Sequence, residues 1–390
     1  MLTVSPGRKL GKGEHKGHDG KKDKVTNNLV YYTIPMLLSG IFPALTTPFY
    51  PDGRLYLKKL EHNVDRYSRT PIAGMAILGS TGEVVMLSEE EQREVLRVAI
   101  EVAAPEKVLL AGVGHESAIR TVEAAEFAAK LNYDVALVRT PHYYRPQMKP
   151  DNLLAYYRFV GDRSPIPVLL YSVPPFTAYD LPAEIIQELA EHPNIIGIKE
   201  SSGVIEKIDD VVARTRQVKH TANATEVFHA LTGRMLLRAV EPAGELVSAA
   251  ALAGTGTTGP STLSPRPSAA VKVMRKKEVG FQLLAGSAQK LLASLEAGAA
   301  GAVLAFGAAA PTACFEIYTA WKDGDKELAQ LKQQRIVEPA TRIASQMGIP
   351  ALKYALDLNG YYGGPPRLPF LPLTGEQRAE VQKLMVDVRN

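Results

Sequence analysis

Lys199 closes the apolar run "NIIGIKE", residues 194 to 200. A strand buried on both faces would hold that amine out of water, the condition under which a lysine can attack a ketone and form an imine. A lysine at a strand end can also snorkel to solvent, and for an isolated run that is the plainer reading. The neighbouring runs change the balance, because they end in groups with matching chemistry. These are Thr46 and Thr47 after "GIFPAL", Ser80 and Thr81 within "GSTGE", Tyr143 behind Pro141 in "TPHYYRPQM", Tyr171 in "VLLYSVP", and Gly286 and Ser287 in "LLAGSA". Two phenols and a pair of hydroxyls around one amine provide the proton relay and carboxylate-binding groups that imine chemistry requires. No His or carboxylate cluster with metal-ligand spacing occurs at these ends, so the expected chemistry uses no metal and no separate cofactor.

Such groups can converge only if the runs are strands of one closed sheet. Short apolar stretches of the buried parallel type begin near Gly40, Gly74, Val108, Asp134, Ile166, Ile195, Phe281 and Ala302. Helix-like stretches lie between them. "SEEEQREVLRVAIEVAA" opens on a capping box from Ser88 to Glu91, "SAIRTVEAAEFAAKL" follows, and "PAEIIQELAEH" starts with Pro182 in its first turn. The first five strand-to-strand intervals run from 26 to 34 residues, about one βα unit each. The pattern predicts an α/β fold, a (β/α)₈ TIM barrel, whose active site lies at the C-terminal ends of the strands.

The sixth interval breaks the period, since 86 residues separate Ile195 from Phe281. An insertion between strands six and seven is expected at about 218–277, and because it follows a helix and precedes a strand it should emerge on the N-terminal face, away from catalysis. Inside it, "GTGTTG" (254–259) fits G-x-G-x-x-G, but a Pro/Ser-rich segment follows where a helix would have to start, so it reads as a chance match. The expected organisation is a basic, disordered tail over 1–36, a barrel over 37–310 carrying the insertion, and the last barrel helix with a C-terminal helical extension over 311–390. A second capping box is expected at Thr374 and Gln377.

Composition sets outer limits. Hydrophobic residues make up 46% and charged residues 22%, and no apolar run is long enough for a membrane helix. The net charge of +4 is small and concentrated in the N-terminal "GRKLGKGEHKGHDGKKDK", which leaves no nucleic-acid footprint on the body of the protein. His15 and His18 in that tail have no third ligand nearby. Cys314 is the sole cysteine; it is expected to pack rather than react, and it fits a reducing compartment. The expected location is the cytoplasm, with the mitochondrion as the alternative.

"GSTGE" after strand two, "TPHYYRPQM" after strand four, "YSVP" ending strand five and "GIKESSG" ending strand six resemble the dihydrodipicolinate synthase and N-acetylneuraminate lyase family of pyruvate-dependent class I aldolases. The resemblance spans residues 37–217 and about 279–390. It implies that Lys199 forms the Schiff base with the ketone of a pyruvyl unit and that Tyr171 is the general acid/base. It also implies that Ser80 and Thr81 bind the pyruvyl carboxylate, with Ser80 linking Tyr171 to Tyr143. Tyr143 takes the place of the second aromatic in the family's Pro-Tyr-Tyr, His142 replacing the first, and in the family this ring reaches a neighbouring subunit's site. A homotetramer is therefore implied. Thr47, Gly286 and Val303 are further expected substrate-lining positions, while Glu83 is expected to brace the turn.

Within the family, "YSVP", "TPHYYRPQM", "LLAGSA" and "MGIPALKYALDLNGYYGGPPRLPF" look most like 4-hydroxy-2-oxoglutarate aldolases, which yield pyruvate and glyoxylate. Phe176 stands where dihydrodipicolinate synthases carry an arginine for the second substrate's carboxylate, and a neutral ring cannot form that ion pair. Condensation of pyruvate with aspartate semialdehyde is the alternative, sialic-acid and sugar-acid cleavage are more distant ones, and a catalytically silent binding barrel is the alternative of another class. The expected partner is a small 2-oxo acid, with no nucleic acid and no membrane.

Overall fold

The computed structural model describes residues 36–225, 229–240 and 275–389. The "GTGTTG" segment, His15, His18 and nearly all of the basic tail lie outside the described residues.

Among the described residues, eight parallel strands form one sheet: β1 (Gly40–Pro43), β2 (Gly74–Ile77), β3 (Val108–Gly112), β4 (Val135–Arg139), β5 (Val168–Ser172), β6 (Ile195–Glu200), β9 (Gln282–Ala285) and β10 (Gly301–Leu304). They pair in the order β1-β10-β9-β6-β5-β4-β3-β2. Closure comes from a parallel bridge between Ala44 and Ala76, with Leu45 N donating to Ala76 O at 2.9 Å. The fold is the (β/α)₈ barrel that the strand spacing implied. At the β1/β10 seam the backbones approach so closely that a Cβ at Gly301 would strike the Gly40 carbonyl.

Two packed layers explain why the strands read as unbroken apolar runs. Alternate residues such as Val135, Leu137, Leu169 and Leu284 fill the barrel interior. Their neighbours, among them Ala136, Val138, Leu170 and Leu283, meet the surrounding helices. Helix Glu89–Val102 opens on the Ser88/Glu91 capping box, and the Thr374/Gln377 box opens Gly375–Leu384. Pro182 flanks its helix, Ala183–Ala190, one position earlier than expected.

Between β6 and β9, the strands β7 (His220–Ala224) and β8 (Arg275–Val279) form an antiparallel pair outside the barrel sheet. Helix Gly233–Val240 precedes the second of them. Arg234 fastens this helix to the chain entering β3: its guanidinium donates to the carbonyls of Ala103, Ala104 and Lys107 and lies 3.3 Å from the Asp134 carboxylate. All of these groups belong to the N-terminal end of the strands. The last barrel helix, Pro311–Lys322, is followed by the helices Lys326–Pro339 and Ile349–Leu358 of the C-terminal extension. A widened, π-type turn over Ala340–Gln346 precedes Gly348; it carries Ala344 and Ser345 to the barrel mouth.

Candidate active site

Strand register sets the central geometry. Tyr171 and Lys199 are Cα partners on β5 and β6, so their side chains emerge at the same height on neighbouring strands. Lys199 is 4% exposed. Its Nζ lies 4.1 Å from the centre of the Tyr171 ring, and the Tyr171 hydroxyl is 3.4 Å from Ser80 Oγ. These three groups face a cavity of about 470 Å³ at the C-terminal ends of the strands, which Thr81, Phe176 and Gly286 also line.

Ser80 and Thr81 sit in the tight turn Ser80–Gly82, whose internal bonds begin at Gly82 N and Glu83 N. The N–H groups of Ser80 and Thr81 open the turn and have no carbonyl within it to bond, an arrangement suited to an anionic oxygen. Across the cavity, a Cβ at Gly286 would collide with Ser201 and with the Glu200 carbonyl, so only glycine lets β9 pass here. Ser201 Oγ and Ser287 Oγ are buried at this wall with no hydrogen-bond partner among the described residues, which leaves two hydroxyls for a polar ligand.

Three expected positions take different places. Thr47 does not line the cavity: it is buried and its hydroxyl donates to Gly82 O at 2.7 Å, so it holds the turn from behind. Val303 is fully buried in the packed barrel interior and is not among the residues lining the cavity. Tyr143 is 76% exposed, stacked edge to face on Tyr144 and outside its own chain's Ser80–Tyr171 pair. The loop bearing it is anchored by Glu116, whose Oε2 accepts the N–H groups of His142 and Tyr143 at 2.8 and 3.0 Å while Oε1 accepts Arg139 Nη1 at 2.8 Å. Burial pushes the Glu116 carboxyl up, but these donors outweigh it and leave it below the usual carboxylate range.

Arg139 is the residue that strand-end reasoning passed over. It is the Cα partner of Tyr171 on β4 and lines a small recess with Ser80 and Tyr171, yet Glu116 neutralises its charge. The extra hydroxyls of "ESSG" and "AGSA" were visible in the sequence. The contributions of Ser345, Leu352 and Phe370 from the C-terminal extension carry no local signal.

The family model of the dihydrodipicolinate synthetase family matches residues 37–230 and 240–387. The chain belongs to this family. A 4-hydroxy-tetrahydrodipicolinate synthase from Methanothrix thermoacetophila is 26% identical over 349 residues, covering 90% of this chain and 96% of that protein. The enzyme of the same name from Xanthomonas campestris is 39% identical over 178 residues, or 46% of this chain and 58% of that protein. Among solved structures, the chloride-inhibited dihydrodipicolinate synthase of Acinetobacter baumannii, complexed with pyruvate, superposes with a TM-score of 0.70 at 22% identity over 90% of this chain and 98% of its own. That likeness establishes the shared fold. No described helix of this dihydrodipicolinate synthetase family member is long and apolar enough to cross a membrane.

Proposed function

We propose that the protein is a Schiff-base-forming class I aldolase acting on pyruvate-derived 2-oxo acids. The observation that carries this reading is a buried lysine amine resting 4.1 Å over the ring of a tyrosine whose hydroxyl meets a serine, all at the wall of one cavity. The Lys199 amine adds to the ketone carbon, and loss of water gives a protonated imine. That imine is an electron sink: as a hydroxyl on the carbon beyond the methylene yields its proton to Tyr171, the carbon–carbon bond breaks and its electrons form an enamine. Protonation of the enamine and hydrolysis release pyruvate and free Lys199. Condensation runs the same steps in reverse. Through all of them the turn Ser80–Gly82 would hold the carboxylate. Incubation with pyruvate and borohydride tests the reading, which predicts a reduced pyruvyl adduct on Lys199; an unmodified lysine in folded protein refutes it and favours a silent barrel.

The names of the relatives support condensation of pyruvate with aspartate semialdehyde as the natural reaction better than the cleavage favoured by the sequence motifs. Cleavage of 4-hydroxy-2-oxoglutarate to pyruvate and glyoxylate stands as the second reading on one observation. Phe176, an exposed neutral ring, lines the cavity where the condensing enzymes of the family place an arginine. Rates for both reactions on one preparation, with sialic-acid cleavage as a third arm, separate the readings. The outward-facing Tyr143 and Tyr144 support a homotetramer in which Tyr143 serves a neighbouring copy's site, and sedimentation tests it. A cytoplasmic location, with the mitochondrion as the alternative, is proposed with this reading because the sole cysteine, Cys314, fits a reducing compartment.

A further inference from the structure

Glu83 and Lys353 lie 270 residues apart in the sequence and meet in the interior. Lys353 Nζ is 2.6 Å from Glu83 Oε1, and neither side chain is exposed at all. The other carboxylate oxygen, Oε2, accepts the Arg367 N–H at 2.8 Å, and Lys353 Nζ also donates to Pro365 O at 2.9 Å. The ammonium rests 4.3 Å from the centre of the Phe49 ring. Burial lowers Lys353 to about 8 against the opposing pull of Glu83. Arg367 extends the contact, forking onto both oxygens of Glu91 at 2.7 Å and onto the Met86 carbonyl at 2.8 Å.

The position of this pair is what gives it meaning. Glu83 immediately follows the turn Ser80–Gly82, and its backbone is left-handed at φ 56, as is that of Leu78 at φ 59 just before the turn. Two non-glycine residues in that region are unfavourable and persist only where their surroundings hold them. An apolar pair of similar volume would stabilise the fold as well as a buried ion pair does, so stability alone does not account for two charges here. The neighbour of Lys353, Leu352, lines the cavity itself. The C-terminal extension thus grips the far side of the turn, while Thr47 holds Gly82 from behind.

We propose that Glu83 and Lys353 are positioning residues that fix the turn Ser80–Gly82 in the shape that receives the substrate's carboxylate, coupling the C-terminal extension to recognition of 2-oxo acids. The proposal rests on the Schiff-base reading, and its test is separable from the test of that reading. Borohydride trapping on Lys199 is titrated with pyruvate and, separately, with methyl pyruvate, whose carboxylate is masked. Two variants are compared with the wild type: Lys353→Met, and the double variant Glu83→Gln/Lys353→Met, which leaves no uncompensated buried charge and keeps the test open if the single variant fails to fold. In each variant that folds, half-saturation by pyruvate is expected to rise about tenfold or more, the scale of a lost charge-assisted contact. Half-saturation by the ester and the limiting extent of trapping stay at wild-type values. A folded double variant whose pyruvate half-saturation matches the wild type, or rises equally for the ester, overturns the positioning role. Failure of the wild type to trap pyruvate at all overturns the aldolase reading and this proposal with it.

Discussion

Replacing Tyr171 by phenylalanine removes one oxygen and leaves the ring. The structure makes the two consequences of that change separable. The ring is 5% exposed and forms the surface under the Lys199 amine, so the packing that desolvates the lysine survives. The hydroxyl's bond to Ser80 is long, at 3.4 Å, and losing a bond of that kind costs about 1 kcal/mol or less of stability. On the proposed mechanism the catalytic loss is larger, because the phenol would accept the proton as the carbon–carbon bond breaks. General acid/base removal lowers turnover by roughly 10²–10⁴-fold, or about 3–5 kcal/mol of barrier. Tyr171→Phe is therefore expected to keep its thermal midpoint within a few degrees and to reach full borohydride trapping of pyruvate on long incubation, while steady-state turnover collapses. Turnover within about tenfold of wild type would refute the acid/base assignment. Parallel loss of trapping and folding would show that the ring's packing, rather than its hydroxyl, is what matters.

Lys199→Ala is expected to abolish both turnover and the borohydride adduct, checked by intact mass and by activity on the same sample; a residual adduct elsewhere would move the imine to another lysine. Phe176→Arg should lower the Michaelis constant for aspartate semialdehyde by about tenfold, the value of one charge-assisted carboxylate contact, and an unchanged constant would remove Phe176 from substrate selection. Glu116, with its carboxyl held below the usual range, should anchor the Tyr143 loop at neutral pH. A carboxyl lowered by folding contributes stability that is present above its unfolded-state value and lost as pH falls through its folded-state value. Protease nicking near Tyr143 should therefore increase as pH drops below the usual glutamate range, and Glu116→Gln should show that increase already at neutral pH; a pH-independent nicking rate in the wild type would count against the anchor.

The parts of this molecule legible in the sequence are those set by local periodicity. Apolar runs spaced by one βα unit predict eight strands, and the strands appear where the runs begin, because parallel strands buried on both faces admit little else. The helix starts at Ser88 and Thr374 are equally local, each decided by a hydroxyl and an acid or amide three residues on. Lys199, Tyr171, Ser80 and Thr81 were readable for the same reason: a barrel delivers the ends of its strands to one mouth, so residue type at a strand end is already a statement about place. Thr47 and Val303 show the limit of that logic. Both lie near strand ends, but depth along the strand decides whether a side chain meets the cavity, the turn or the packed interior, and a rise of a few ångströms per residue is finer than a sequence boundary can be drawn.

What the sequence conceals is contact between distant segments. Lys353 stands in "GIPALKYALDL", where its neighbours on either side pack inward, and that one charge on an apolar helix face was the available hint of a buried partner. Its partner could not be named, since any of the acidic residues would satisfy the pattern. The pairing also shows why the extension belongs to the site. Leaving Glu83 buried without its lysine would cost about 3–5 kcal/mol, a large share of the ~5–15 kcal/mol by which domains are stable. If the turn Ser80–Gly82 receives the carboxylate as proposed, a pair held behind it makes the turn's shape depend on the docking of residues 349–367. Loosening that segment should therefore weaken 2-oxo acid binding before it unfolds the barrel, an order of events that ligand titration followed by thermal melting on the same variant would reveal.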